Sequence, residues 1–148
     1  MVRVPDGFAF VVERVGKYSR TLPPGGHFLV PGVDRVRARV DLRFRPLAFR
    51  PQPVSTSDGL LVEVAATVWC RVVDPVRATY EISDYVNGLE QLTATVLRAA
   101  CAELTRPDAL ASRFDLNRRL SGELSGVVGR WGVEVGKTEI TVLRPPDR

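Results

Sequence analysis

The chain has 148 residues, a formal net charge of +4 and an isoelectric point near 9.6. That length suits one domain, large enough to bury roughly 70% of the surface its unfolded chain exposes. A hydrophobic content of 45% with 26% charged residues is that of a globular protein. No apolar run approaches the ~20 residues of a membrane-spanning helix. Met1-Val2-Arg3-Val4-Pro5-Asp6 is not a signal peptide, so the chain as given reads as soluble.

Phe8 to Val15 is apolar on both faces and bounded by Asp6-Gly7 and Gly16-Lys17, which predicts a strand covered on both sides. Thr21 to Gly26 reads as a loop, because its prolines preset φ and its glycines permit φ > 0. His27 to Val30 reads as a short strand closed by Pro31-Gly32. From Asp34 to Pro46 the alternation is clean. Val36, Ala38, Val40, Leu42 and Phe44 face one way, and Arg35, Arg37, Arg39, Asp41, Arg43 and Arg45 the other. Leu47 to Thr56, punctuated by Pro51 and Pro53, suits an edge strand or a connector between two subregions.

The longest pattern runs from Leu60 to Val72. Leu60, Val62, Val64, Ala66, Val68, Cys70 and Val72 form an unbroken apolar row, preceded by the Asp58-Gly59 turn and stopped by Asp74-Pro75. Pro75 to Tyr80 suits a short helical turn. A long helix is expected from an N-cap at Ser83, with core residues Val86, Leu89, Leu92, Val96, Ala100 and Leu104. Thr105 caps a short helix through Ala111. Asp115 to Trp131 carries the stripe Leu116, Leu120, Leu124, Val127, Val128 and Trp131, with Gly132 as its C-cap. The last strand, Gly132 to Leu143, changes apolar phase between Val135 and Ile140, which a bulge near Gly136 explains. Strands, then helices, then a strand give an α+β domain with a largely antiparallel sheet covered by two main helices. A smaller N-terminal β subregion covers about residues 1–52, and a C-terminal one about 53–148.

Catalytic residues are scarce. His27 is the sole histidine and has no Cys, Asp or Glu at ligand spacing, so a structural or surface role is expected. Asp58, Asp74 and Asp84 sit at turns and a helix start. Cys70 and Cys101 read as buried hydrophobes, not as a disulfide or metal site. No enzyme activity, cofactor or metal is expected. Two features remain as candidate contact surfaces. Arg35, Arg37, Arg39, Arg43 and Arg45 form a band suited to anionic headgroups or an acidic partner, or else a solvated strand face whose charges discourage aggregation. Aromatic stacking residues are not interleaved with them, which argues against nucleic acid. Gly122, Gly126 and Gly129 make a small-residue helix face, read as a self-association groove or as a tolerated weak helix.

Across nearly its whole length the chain resembles the stomatin/prohibitin group, the band 7 or SPFH domain, and the stomatin-like branch most closely. The resemblance begins at Val4-Pro5 and runs from Val11-Val12-Glu13-Arg14 through Val15-Gly16-Lys17-Tyr18. It continues at Thr21-Leu22, Pro24-Gly25, His27-Phe28-Leu29, Pro31 and Asp34-Arg35-Val36. It resumes at Thr56-Ser57-Asp58-Gly59, Arg71-Val72-Val73-Asp74-Pro75, Asp84-Tyr85 and Leu116-Asn117. The Trp131-Gly132-Val133-Glu134-Val135 corner and Pro145-Pro146 complete it. The resemblance implies a non-catalytic scaffold that oligomerises at a membrane, organises lipid microdomains and modulates channels or membrane proteases. It implies membrane association of the full-length form, at the cytoplasmic face. The alternative is a soluble module docking an acidic partner or protease without lipid contact. Such proteins normally carry an apolar segment before the Val4-Pro5 position and a coiled coil after Pro145-Pro146, so an excised core or a stripped-down relative is expected.

Overall fold

The computed structural model describes residues 1–146. In chain order the elements are β1 (Val2–Val4), β2 (Phe8–Arg14), β3 (Lys17–Leu22), β4 (Gly25–His27), β5 (Asp34–Asp41), β6 (Arg45–Ala48), β7 (Gln52–Ser55) and β8 (Leu61–Val72). There follow α1 (Pro75–Tyr80), α2 (Tyr85–Ala102), α3 (Arg106–Ala111), α4 (Arg113–Val128) and β9 (Val133–Arg144). Every strand pair among the described residues is antiparallel, and the class is α+β.

β8 is the centre of the larger sheet. β9 pairs along one of its edges, while β6 and β7 share the other. Val62, Val64, Ala66, Val68, Cys70 and Val72 are all buried. They meet Leu89, Val96, Leu97 and Ala100 of α2 and Leu116, Leu120, Leu124 and Val128 of α4 in one core. Each large aliphatic side chain buried this way contributes about 1.5–3 kcal/mol, so this contact dominates the fold. Leu60 is the exception in the expected row. The strand starts at Leu61, and Leu60 is exposed beside the turn made by Gly59.

The phase change in β9 is a bulge at Gly136. Lys137 pairs with Trp69 and Val135 with Cys70, leaving Gly136 as the extra residue. A second extra residue, Thr141, lies between the Val142–Ala65 and Ile140–Ala66 pairs. Phe44 explains the glycine at the first bulge: a β-carbon on Gly136 would stand 2.7 Å from its ring. Phe44 is therefore not on a dry strand face. It is half exposed, packed on the bulge, with the Arg71 guanidinium 4.7 Å from its ring centroid.

In the N-terminal part β2 lies between β3 and β5, and β1 pairs with β4. Val11 belongs to the main core, whereas Phe10 and Val12 join Val4 and Leu22 in a small one. That is why β2 is apolar on both faces. Three local expectations are corrected. Lys17–Leu22 is a strand, drawn into the ladder by β2, so Thr21 and Leu22 are not loop. The strand expected at His27–Val30 is Gly25–His27, held by β1, and Phe28 is exposed. The strand from Asp34 stops at Asp41, where the Asp41 carboxylate accepts from the Arg43 backbone amide in an Asx turn. The change from one sheet to the next falls between Asp41 and Arg45, ahead of residue 52.

The starts of α1, α2 and α3 follow side-chain capping. Asp74 accepts from the Val76 and Arg77 amides, and Thr105 from the Asp108 amide. α2 is capped by Asp84, which accepts from the Val86 and Asn87 amides at 3.1 and 3.2 Å, and Ser83 precedes the cap. α4 starts two residues before Asp115, placing that carboxylate in its first turn. It ends in a 3-10 turn, Gly129–Trp131, closed by Gly132 at φ +70°.

Candidate functional site

Two turns meet at one end of the N-terminal sheet. The β2–β3 hairpin turns on Val15 and Gly16, whose φ values are +52° and +79°. Two positive φ values in a two-residue loop are those of a type I′ turn, where Asn-Gly is the favoured pair. Val15 is instead β-branched, a residue for which this region is strained. It is also 80% exposed. Its amide donates to the Val33 carbonyl over 3.2 Å, tying the hairpin to the loop that precedes β5. In that loop Phe28 is 79% exposed, and Val30 and Val33 are partly exposed. Val15 and Val33 thus meet in an apolar tip with Val30, whose carbonyl accepts from the Val33 amide, and exposed Phe28 precedes them in the same loop.

The tip is held by charge. The Asp34 carboxylate takes the Arg14 guanidinium at 2.8 and 3.1 Å and the Val30 amide at 2.9 Å. Arg14, and after it the Val30 N–H, hold the Asp34 carboxyl at about 2, so it is ionised at neutral pH. Arg20 donates to the Phe28 carbonyl and fixes the base of the loop. Lys17 and Arg20 lie on β3 after the hairpin turn, while Arg14 is paired with Asp34 and Arg35 with Glu13.

The five arginines from Arg35 to Arg45 do not share one face. Val11 pairs with Ala38 but Val12 with Val36, so Arg37 is the extra residue of a bulge. The bulge reverses the phase within the strand. Val36 packs with the small core, whereas Ala38 and Val40 pack with the main one. Arg35 and Arg37 turn to the nearly buried Glu13, at 3.4 and 3.7 Å, which also accepts from the Tyr80 hydroxyl at 2.7 Å. Arg39 lies over the Phe10 ring. Arg43 folds back onto Asp41, at 3.0 Å, and over the Phe8 ring. Arg45 sits in the other sheet and donates to the Tyr85 hydroxyl.

Gly122, Gly126 and Gly129 lie together on the exposed side of α4 and its last turn, and a β-carbon at any of them would meet nothing within 4 Å. The ring of His27 hydrogen-bonds the Pro23 carbonyl at 2.8 Å, a turn contact. Glu63 is paired with Arg144. Among the described residues no His, Cys, Asp or Glu cluster has the arrangement of a metal site, and no helix is long and apolar enough to cross a membrane. The residues missed in the sequence are those of the tip. Val15 reads as the end of an apolar strand and Phe28 as part of another. The available signal was valine at the first place of a two-residue turn ahead of glycine.

The SPFH domain / Band 7 family model matches residues 2–148. An uncharacterized protein of Mycobacterium tuberculosis is 46% identical over 143 residues, covering 97% of this chain and 38% of that protein. An uncharacterized protein of Schizosaccharomyces pombe is 32% identical over 144 residues, covering 97% of this chain and 41% of the relative. Stomatin-like protein 2, mitochondrial, of Rattus norvegicus is 28% identical over 145 residues, covering 98% and 41% respectively. The chain therefore spans about two fifths of the length of these relatives. By a family match over essentially its whole length, the chain belongs to the SPFH domain / Band 7 family.

Proposed function

We propose that the chain is the non-catalytic scaffold domain of a membrane-associated protein, one that self-associates and organises or regulates channels, membrane proteases and lipid microdomains from the cytoplasmic face. Family membership supports the scaffold class. The observation that carries the membrane reading is the tip. Val15, Val30 and Val33 are exposed at the tip, Phe28 is exposed in the same loop, and the turn that presents Val15 costs conformational free energy that a shorter polar residue would not. Apolar side chains entering the headgroup region gain about 1.5–3 kcal/mol each when fully buried. Each Lys or Arg beside an anionic leaflet adds about 1 kcal/mol. Lys17 and Arg20 on β3 supply that second contribution, since Arg14 and Arg35 are paired with Asp34 and Glu13.

Flotation with phosphatidylcholine vesicles, with and without phosphatidylserine, tests the reading. The unaltered chain floats with the phosphatidylserine vesicles, and the Val15→Asn/Phe28→Ser variant floats at least about tenfold less. Equal flotation of both chains, or none of either, overturns the membrane contact.

A further inference from the structure

β5 is the edge strand of a three-stranded sheet, paired with β2 alone among the described strands. Beside it lies a cleft of about 420 Å³. One wall is Arg37 through Asp41, five consecutive residues drawn from both faces of the strand, so the wall is the strand's open edge. The opposite wall comes from α1 and the segment leading into α2, including Thr79, Ser83 and Tyr85. The Leu42 amide donates to the Gly7 carbonyl on the β2 side. In an antiparallel ladder these groups alternate, so Val40 and Ala38 also turn toward β2, and the N–H and C=O of Arg39 and Asp41 turn outward into the cleft. No described backbone hydrogen bond outside the strand ladders involves residues 35–41.

We propose that this edge, from Arg37 to Asp41, is a docking site for an extended acidic peptide segment that joins the N-terminal sheet as a fourth strand. The open main-chain groups supply the ladder, as in strand addition generally. Charge selects the occupant. Arg39 and Arg45 line the cleft together with Arg37, which shares Glu13 with Arg35, against one lining carboxylate, Asp41, which is already paired with Arg43. A second copy of the same strand complements the edge less well than an acidic segment, because it brings one carboxylate, Asp41, among Arg37, Arg39 and Arg43. Strand docking needs no bilayer, so it and the membrane contact fail independently.

The probe is a capped hexapeptide of alternating Glu and Val, titrated into the protein while backbone amide exchange is followed by NMR. Expected are saturable binding, slowed exchange at Arg39 and Asp41, and at least about tenfold weaker binding by the peptide N-methylated at alternate residues, since each lost hydrogen bond is worth about 1 kcal/mol. The Lys/Val counterpart does not bind. Arg39→Gln, at an exposed side chain, weakens the Glu/Val peptide at least about tenfold with the folded circular-dichroism spectrum unchanged. Equal binding of the N-methylated peptide reduces the interaction to charge attraction and overturns the proposal, as does protection confined to other residues or no binding at all. Protection of Arg39 and Asp41 on raising protein concentration alone assigns the edge to a second copy and also overturns it.

Discussion

The amide of Asp74 donates to the carbonyl of Gly132 over 3.0 Å, and the Asp74 backbone fills the space beside the Gly132 α-carbon. A β-carbon at 132 would collide with the Asp74 carbonyl and lie 2.8 Å from the Asp74 β-carbon and 2.9 Å from that of Arg77. Gly132 also stands at φ +70°. This contact locks the entry to α1 against the corner that leads from α4 into β9. Gly132→Ala is expected to cost about 3 kcal/mol or more, the sum of left-handed strain and overpacking. Urea unfolding followed by circular dichroism measures it, and a loss below about 1 kcal/mol would show that the corner yields.

Val15 offers the opposite case. Asn tolerates the left-handed region and is the favoured first residue of a type I′ turn. Val15→Asn should stabilise the fold by about 1 kcal/mol. The same change should weaken flotation with phosphatidylserine vesicles. Stability gained with flotation undiminished would leave Val15 outside any membrane contact.

Asp34 sets a pH dependence. Its carboxyl is held at about 2 by Arg14 and the Val30 amide, below the ordinary aspartate value near 3.9. A depressed folded-state pKa contributes stability that is complete above the unfolded value and lost as pH falls from about 4 toward 2. Thermal melting of the unaltered chain should therefore fall more steeply over that range than melting of Asp34→Asn. Parallel curves would mean that the tip ion pair contributes nothing. Asp41, held at about 2 by Arg43, adds to the same slope in both chains.

The glycine face of α4 separates packing from association. Nothing lies near Gly122 or Gly126, so Ala at each should stabilise α4 by about 0.5–1 kcal/mol. Gly129, at the end of the helix, has equal room. Sedimentation of the triple Ala variant decides whether the face is a docking groove. Weaker self-association at higher stability supports it, and unchanged self-association ends it.

Particular residues show what was legible before folding. The row from Val62 to Val72, the stripe Leu116, Leu120 and Leu124, the Thr105 cap and the bulge at Gly136 all follow from the order of nearby side chains. Periodicity and capping are properties of a few consecutive residues, so the α+β body could be read directly. The arginine band misled because its geometry is not local. The bulge at Arg37 exists only where β5 pairs with β2, and it sends Arg35 and Arg37 to Glu13 but Arg39 to Phe10.

The amino-acid order alone determined the main sheet, its helical cover and the family, because each rests on short-range pattern carried along nearly the whole chain. Tertiary structure decided which strand edges stay open, where Val15 and Val33 come together, and why residue 132 is glycine against the Asp74 backbone. Those outcomes depend on segments distant in sequence arriving within a few ångströms, and close packing lets only the assembled fold specify which atoms meet.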